Sequence, residues 1–325
     1  MRKLVKFKIK RFDPMGAEGN APYWQAYNVK LDHGMTVLEA LLKIEKNDDP
    51  TLSFRRSCRS AICGSCAVMI NGTTKLACHT QIAPEIEKHG EIVIGPLDNY
   101  QVLKDLIVDF TPFWRRIEKV KPYLVPKKEP KGGWVITNED TKIIDASQKC
   151  IMCGACNGAC NSLEIDENFI GPSASAKAWR FVGDVREGSK HQRLDRISQE
   201  HGIWDCVRCV SCTEVCPKKV APLTAIEKLR AEALAEDIDD NAGAKHVLAL
   251  VDSVKRVGRL DEAAMTFKTL GFLRTLGMIP FGLKMEMHGK MPHPILFAAI
   301  DKIEEVRGIY KVRDRQRKNE KKKKG

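Results

Sequence analysis

The residues with the most recognisable chemistry are twelve cysteines, which fall along the chain in three groups of four. The first group is spaced C-x4-C-x2-C, with eleven residues before its last member, and comprises Cys58, Cys63, Cys66 and Cys78. This is the plant-type spacing for a [2Fe–2S] cluster, which four thiolates ligate. A zinc site is the alternative, but the order of the spacings favours the cluster. We therefore predict a [2Fe–2S] site here.

The other two groups repeat one motif, C-x2-C-x2-C-x3-C, over residues 150–160 and 206–216, and Pro217 follows the second. This run binds [4Fe–4S] clusters, and in two-cluster ferredoxins the fourth cysteine of each run ligates the other cluster. The rule predicts one cluster on Cys150, Cys153, Cys156 and Cys216, and a second on Cys206, Cys209, Cys212 and Cys160. All twelve cysteines are then ligands.

Three such clusters in one chain form a path for single electrons. The sequence has no glycine-rich nucleotide-binding loop after a strand, so we expect no flavin or nicotinamide site on this chain. We also expect no catalytic residues of its own, and no nucleic-acid binding, because no recognisable motif interleaves basic and aromatic residues. The two-electron chemistry must then belong to a partner.

The elements around the first cysteine group predict a small β-rich domain. Apolar and polar residues alternate in Val5–Ile9 and Tyr27–Leu31, which is typical of half-buried strands. Thr36 and Glu39 form a capping-box pattern before a helix, and Glu91–Ile94 is a closing strand. A hairpin, a helix, a cysteine loop and a closing strand fit a β-grasp ferredoxin domain.

The length of 325 residues and the 43% hydrophobic content indicate a globular chain of two or three domains. We predict an α+β protein: a β-grasp [2Fe–2S] ferredoxin domain over 1–105, an all-α dicluster [4Fe–4S] ferredoxin domain over 106–230, and a helical C-terminal extension over 231–325. The apolar runs are too short for a membrane-spanning helix, which needs ~20 residues, and the N-terminus shows no secretory signal.

The extension contains no cysteine but has a group of methionines, namely Met278, Met285, Met287 and Met291. These predict a methionine-containing helical core or, alternatively, an adaptable surface for a partner. The net charge is +12, and much of it lies in Lys311–Gly325. We expect this basic tail to be disordered and solvated, with contact to anionic lipid or an acidic subunit as the alternative.

Several segments together resemble the iron–sulfur subunits of succinate dehydrogenases and fumarate reductases. Ser57–Cys78 closely resembles their [2Fe–2S] loop, and further similarity lies at Lys104–Asp109, Lys121–Leu124, Gly202–Trp204 and Val215–Lys218. The resemblance covers about residues 1–230 and implies a flavoprotein partner, with covalent FAD on that partner and not on this chain. It also implies that the chain is an oxidoreductase subunit acting in succinate–fumarate interconversion.

Differences from most of that family are also informative. Most members have a third cluster of the [3Fe–4S] type, with a non-ligand residue where this chain has Cys209. We therefore expect a second [4Fe–4S] cluster, and [3Fe–4S] is the alternative. Asn161, Glu164 and Val207 replace residues typical of many members, and the last two stand where some quinone-reducing members have tryptophan and histidine. This resembles a subset with a cysteine-rich anchor subunit similar to one from heterodisulfide reductases.

These observations predict the electron-transfer subunit of a succinate:quinone oxidoreductase or quinol:fumarate reductase, between a flavoprotein and a quinone-side membrane-anchor subunit. We expect a peripheral position on the cytoplasmic face of the membrane, with the periplasmic face as the alternative. A subunit of a thiol-dependent fumarate reductase and a free multi-cluster ferredoxin are the rival functions. Arg55, Arg56 and Arg59, around the first cluster loop, are expected to face the flavoprotein.

Overall fold

The computed structural model describes residues 4–15, 21–290 and 298–324. The chain divides into two compact units, Met1–Glu236 and Asp237–Gly325. All twelve cysteines lie in the first unit. The predicted boundary at residue 105 falls inside this unit, so the division between two ferredoxin domains stays a prediction.

The N-terminal part of the first unit is a five-stranded mixed sheet. Its strands are β1 (Leu4–Arg11), β2 (Tyr23–Lys30), β3 (Ala67–Ile70), β4 (Thr73–Leu76) and β5 (Ile92–Gly95). They lie in the order β2-β1-β5-β3-β4, with β1 parallel to β5 and the other neighbours antiparallel. The expected β-grasp arrangement is confirmed, because this mixed sheet packs against a single long helix.

That helix, α1 (Val37–Asn47), begins at the predicted capping box. The Glu39 amide donates to Thr36 Oγ1 at 3.3 Å, and the Thr36 amide donates to Glu39 Oε2 at 2.7 Å. Leu41 and Ile44 on its inner face belong to the same buried core as the strands. A second helix, α2 (Ile82–His89), precedes β5. The capping residues thus fix where α1 starts, and its apolar face fixes how it packs.

The rest of the first unit is mostly helical. After a short two-stranded ribbon, β6 (Val102–Lys104) and β7 (Ile107–Val108), the helices are α3 (Thr111–Lys119), α4 (Asn138–Gln148), α5 (Ala155–Gly158), α6 (Asn161–Ile165), α7 (Gly171–Val182), α8 (Lys190–Ser198), α9 (Ser211–Glu214) and α10 (Pro222–Ala235). A single 3-10 turn spans Ile203–Asp205. The short helices α5 and α9 lie within the two cysteine runs, and the longer helices surround them.

Hydrogen bonds join the sheet to the cysteine-containing helices. The side-chain amide of Asn99 donates to the carbonyls of Asn157 and Cys160 at 2.9 and 3.0 Å. The hydroxyl of Tyr100 donates to the carbonyl of Gly154 at 3.3 Å. The segment after β5 therefore docks directly on the loop that holds the second cysteine group.

A buried ion pair links the end of β1 to the turn between β6 and β7. Arg11 at the end of β1 donates to Asp105 at 2.9 Å, and the side chain of Asp105 also accepts from the amide of Ser53 at 2.8 Å. Both charged side chains are almost fully buried. A buried charge needs such partners, so this pair holds the turn between β6 and β7 against the end of β1.

Over its described residues, the second unit forms four helices, α11 (Ala242–Val257), α12 (Glu262–Leu270), α13 (Phe272–Met287) and α14 (Ile303–Lys324). The helical character expected for the extension matches these elements. Its last helix, α14, continues through the basic segment to Lys324, and the expectation of a disordered, solvated tail stays a prediction. Lysine and arginine are good helix formers, which accounts for the helix. Met291 lies outside the described residues.

Among the described residues, no helix combines the length and the apolar character that crossing a lipid bilayer requires.

Candidate iron–sulfur sites

The loop that contains Cys58, Cys63 and Cys66 wraps its backbone around a cysteine sulfur. The Sγ atom of Cys58 accepts hydrogen bonds from the amides of Ser60, Ile62 and Cys63 at 3.4, 3.3 and 3.2 Å. Such bonds stabilise negative charge on a ligating sulfur and help to set the potential of a cluster.

The hairpin β3–β4 brings Cys78 back to the same loop. The amide of Ala61 donates to Cys78 Sγ at 3.3 Å, and the amide of Cys78 donates to Cys66 Sγ at 3.4 Å. The hairpin turns at Asn71 and Gly72, both with positive φ, as the Asn-Gly pair predicts. The structure therefore brings all four cysteines of the first group together.

Two thiols of the first cysteine group, those of Cys63 and Cys66, differ in pKa because their surroundings differ. Burial raises the pKa of Cys63, but hydrogen bonds from Ser65 and Cys58 together outweigh it and lower that pKa to about 6. Burial raises the pKa of Cys66 to about 12. Ligation of iron requires the thiolate form, so iron binding would release a proton from Cys66 at neutral pH.

The second cysteine group forms a cavity with one cysteine of the third. A small cavity is lined by Cys150, Cys153, Cys156 and Cys216, together with mostly apolar neighbours. Burial raises the pKa of Cys153 to about 11, and the nearby Cys150 and Cys216 thiolates add to the rise. The fourth member thus comes from the other run, as the dicluster spacing rule predicts.

The remaining four cysteines line a separate small cavity, namely Cys160, Cys206, Cys209 and Cys212. Burial raises the pKa of Cys160, and repulsion from the Cys206 and Cys209 thiolates raises it further. Cys209 is the exposed member, whereas Cys160 and Cys212 are buried. Cys209 therefore lies with the other predicted ligands of the third cluster.

The spacing of these sulfur atoms argues against zinc. Tetrahedral zinc with Zn–S bonds of ~2.3 Å holds its sulfurs about 3.8 Å apart. Among the described residues, the one group of three potential ligands within 4.8 Å of one another is Asp166, His201 and Asp205, and it contains no cysteine. Three thiols that converge on a cavity but stay further apart fit the larger frame of an iron–sulfur cluster better than a single ion.

The first two sites meet at Gly64. This residue has φ +76°, and a Cβ atom there would lie 2.6 Å from the Cβ atom of Cys153. The backbone of the [2Fe–2S] loop therefore contacts a predicted [4Fe–4S] ligand directly. The last two sites are joined by α5, because Cys156 lies within it and Cys160 lies just beyond its end.

Arg230 on α10 holds the loop of the third site, a role that the sequence analysis did not identify. Its guanidinium donates to the carbonyls of Ile203, Trp204 and Cys206 at 2.7, 2.9 and 2.8 Å. The side chain is buried and its charge also lies over the ring of Trp204. An arginine in the helix after the last cysteine has no spacing rule that would reveal these contacts.

Comparisons with known proteins agree with this architecture. The chain matches the family model of a 2Fe-2S iron-sulfur cluster binding domain over residues 6–115 and that of a 4Fe-4S dicluster domain over residues 146–220. An 8-methylmenaquinol:fumarate reductase iron-sulfur subunit from Wolinella succinogenes is 34% identical over 297 residues, which cover 88% of this chain and 91% of that protein. A succinate dehydrogenase iron-sulfur subunit from Paracoccus denitrificans is 38% identical over 228 residues, or 69% of this chain and 86% of that protein.

The chain belongs to the iron–sulfur subunits of succinate dehydrogenases and fumarate reductases. Its expected role as an electron-transfer subunit of these oxidoreductases is thereby confirmed, in preference to a free ferredoxin or a thiol-dependent enzyme. A chain of the Mycobacterium smegmatis Sdh1 complex in the apo form has a similar fold, with a TM-score of 0.64 and 23% identity over 74% of this chain and 99% of that one. The predicted α+β class is confirmed as well.

The three arginines near the first site are placed differently from one another. Arg55 donates to the carbonyl of Val108 at 3.0 Å, and Arg56 forms an ion pair with Glu45 at 2.8 Å. Both therefore serve contacts within their own unit. Arg59 is exposed in the cysteine loop itself, beside Ile62, whose side chain is 65% exposed.

Proposed function

We propose that this chain binds one [2Fe–2S] and two [4Fe–4S] clusters and connects a flavoprotein subunit to a quinone-side subunit. The observation that carries the proposal is the crossing of the two cysteine runs, because each cavity contains three cysteines of one run and the fourth of the other. This exchange of the fourth cysteine is the ligand pattern of two-cluster ferredoxins. When bound, the clusters would supply one-electron transfer.

The ligand sets follow from these positions. The [2Fe–2S] cluster would be held by Cys58, Cys63, Cys66 and Cys78, and the first [4Fe–4S] cluster by Cys150, Cys153, Cys156 and Cys216. The second [4Fe–4S] cluster would be held by Cys160, Cys206, Cys209 and Cys212. The chain's own contribution is to supply thiolates, to direct amide groups at their sulfurs, and to hold the loops against one another through Asn99, Gly64 and Arg230.

The flavoprotein, with its FAD, would dock at the tip of the [2Fe–2S] loop. Ile62 and Arg59 project there, and an exposed apolar residue beside a free surface charge suits a partner interface. Arg56 is less suited to contact the flavoprotein, because it already forms an ion pair with Glu45. Arg59 is the arginine whose position supports the contact.

The quinone-side subunit would dock at the third site. Val207 and Val210, on either side of the exposed Cys209, are 65% and 42% exposed. Together they form an apolar rim at the end of the path opposite the flavoprotein.

The type of anchor is inferred from the fumarate reductase relative. The first unit makes up 236 of the 325 residues, so an alignment that covers 88% of the chain must include part of the second unit. A C-terminal extension of this kind is thus shared with an 8-methylmenaquinol:fumarate reductase subunit. Together with Cys209, it supports a cysteine-rich anchor of the heterodisulfide-reductase-like type. The chain itself would lie peripherally on the cytoplasmic face of the membrane, with the periplasmic face as the alternative.

The flavoprotein contact can be tested by reversing one charge. We expect Arg59→Glu to weaken association with the flavoprotein severalfold while iron content stays unchanged, because an exposed rim charge contributes to partner choice and not to the fold. The measurement is co-purification of the flavoprotein with the anaerobically prepared chain, together with the electron paramagnetic resonance (EPR) signal of the [2Fe–2S] cluster after succinate is added.

Lys88→Glu, an equal charge reversal at an exposed site on α2, is the control. Unchanged association and unchanged reduction by succinate in Arg59→Glu would contradict the assigned docking surface. Failure of succinate to reduce any cluster in the assembled wild-type complex would contradict the proposed function itself.

A further inference from the structure

Helix α13 is apolar but has no buried residue. Among the described residues, nothing covers any of its sixteen positions well enough to bury it. Its sequence, FLRTLGMIPFGLKMEM, contains only three charged residues, Arg274, Lys284 and Glu286. An apolar helix normally gains its stability by burying a face, so a helix of this composition requires a partner.

The exposed side chains form a continuous stripe along the helix. The apolar stripe consists of residues at spacings of three and four, so they share one face: Phe272, Leu276, Ile279, Leu283 and Met287. Their side chains are 63%, 45%, 49%, 55% and 77% exposed. Leu273 beside them is 82% exposed. A stripe as long as the helix is far more than a scatter of single surface residues.

Apolar side chains are exposed on the other side of α13 as well. Met278 and Phe281, which lie on a different face from the apolar stripe, are 40% and 58% exposed. Between α12 and α13 an open groove continues this surface. Exposed apolar side chains therefore occupy more than one side of α13.

The unit that contains α13 is basic. Over residues 237–325 the 19 lysines and arginines exceed the 12 aspartates and glutamates by seven. Lys311, Arg313 and Arg315 of α14 are exposed, as are Arg274 and Lys284 at the two ends of α13. Positive charge in the same unit as an exposed apolar helix matches the negative surface of an anionic membrane.

We propose that α13 lies in the interface of an anionic lipid layer, with the apolar stripe inserted among the acyl chains and the basic residues near the headgroups. Its sixteen residues are fewer than the ~20 that a spanning helix needs, so an orientation parallel to the surface fits better. The chain would then contribute its own membrane contact in addition to that of an anchor subunit.

Vesicle flotation of the full chain, with its clusters assembled anaerobically, tests this inference. We expect the protein to float with phosphatidylcholine vesicles that contain about one third phosphatidylglycerol, and much less with pure phosphatidylcholine. The double variant Leu276→Glu, Leu283→Glu should lower binding at least about tenfold, because two apolar side chains no longer enter the lipid. Added salt should weaken binding, since it screens the charges.

Two controls match this change. Leu276→Met with Leu283→Met keeps the apolar character and should bind like the wild type. Val135→Glu, at a position 86% exposed in the first unit, adds a negative charge elsewhere and should also leave binding unchanged.

Leu273→Glu is a second test of the proposal. It alters the most exposed of these leucines and should reproduce the loss of vesicle binding with the least disturbance of packing. Iron content and the helical circular dichroism signal check that each variant is folded.

Two results would overturn the inference. One is equal flotation of the wild type, the Leu276→Glu, Leu283→Glu double variant and the Leu273→Glu variant. The other is a wild type that does not bind anionic vesicles. If the glutamate variants of α13 lose a partner subunit but still bind vesicles, the apolar stripe is a protein interface, and the inference is overturned as well. Vesicle binding requires no electron transfer, so this result is independent of the proposed function.

Discussion

Gly64 combines two demands that only glycine meets. Its φ of +76° is unfavourable for any other residue, and its missing side chain lets the [2Fe–2S] loop touch Cys153. Gly72 has nearly the same conformation, with φ +75°, but a Cβ atom there would meet nothing within 4 Å. The two glycines therefore separate the effect of backbone strain from the effect of the contact.

We expect Gly64→Ala to slow electron transfer between the first two clusters severalfold, because the added methyl group must push the loop away from Cys153 and tunnelling falls steeply with distance. Gly72→Ala should cost a similar strain of ~1–2 kcal/mol without slowing transfer. Rapid-freeze EPR after succinate addition to the complex measures both. Equal transfer rates in the two variants would show that the contact at Gly64 does not set the path.

Cys209 decides the type of the third cluster. With this residue as a ligand, each dicluster site has four thiolates, and the chain should hold about ten irons. Cys209→Ser should produce a three-iron EPR signal in oxidised protein, lose about one iron, and leave the [2Fe–2S] signal unchanged. The [2Fe–2S] ligands lie in another part of the fold, so that signal is the internal control. A strong three-iron signal from wild-type protein never exposed to oxygen would falsify the assignment.

At this scale the sequence was informative wherever spacing along the chain determines chemistry. Cysteine intervals alone predicted the two crossed sets that the cavities contain. They could not reveal Arg230, whose three carbonyl partners lie 24 to 27 residues away and meet it only through packing. Nor could they show that Arg56 is occupied by Glu45, eleven residues before it.

Among the elements, local signals fixed the starts of helices. Thr36 and Thr137 both form capping boxes, and Asp261 accepts from the amide of Ala264 at 3.0 Å at the start of α12. The boundary between α12 and α13 follows from Gly271, which has φ +77°. Helix α14 has no comparable signal, because the lysine-rich composition of its last residues fits either a helix or a solvated tail.

The end of α7 depends on a buried carboxylate. Asp184 accepts from Arg186 at 2.7 Å and from Arg180 at 2.8 Å, and its side chain is only 2% exposed. The hydrogen bonds from Arg186, and then those from Arg180, hold the pKa of Asp184 well below its usual range. A folded pKa below the unfolded value of ~3.9 stabilises the protein above that pH, and the stabilisation is lost as the pH falls.

We therefore expect Asp184→Asn to destabilise the first unit by ~3 kcal/mol at pH 7, since two arginines lose their carboxylate. The difference from the wild type should stay constant down to about pH 5 and shrink below about pH 4. Urea unfolding followed by circular dichroism at several pH values measures it. Asp145→Asn, which removes an exposed pair with Lys149, is the control and should change little. A difference independent of pH would contradict the assigned role of the charge.

In the whole molecule, the predicted cluster ligands and the proposed membrane contacts belong to different units. The first unit contains every cysteine and the links that join the sheet to the helices. The sequence predicted this separation from the absence of cysteine after residue 230. It could not predict that α13 is uncovered, because an apolar helical pattern is the same whether a core or a partner covers it.

Removal of the second unit tests that separation directly. A chain ending at Glu236 should retain all three clusters and reduce a soluble dye with electrons from succinate when the flavoprotein is present, because no ligand or loop contact described for the sites involves residues 237–325. Electron transfer to quinone in membranes should fall at least severalfold, since the proposed contacts with lipid are gone. Iron analysis, dye reduction and quinone reduction measured on the same preparations distinguish the two effects. Loss of cluster iron in the shortened chain would mean that the second unit supports the sites and is not only a means of attachment.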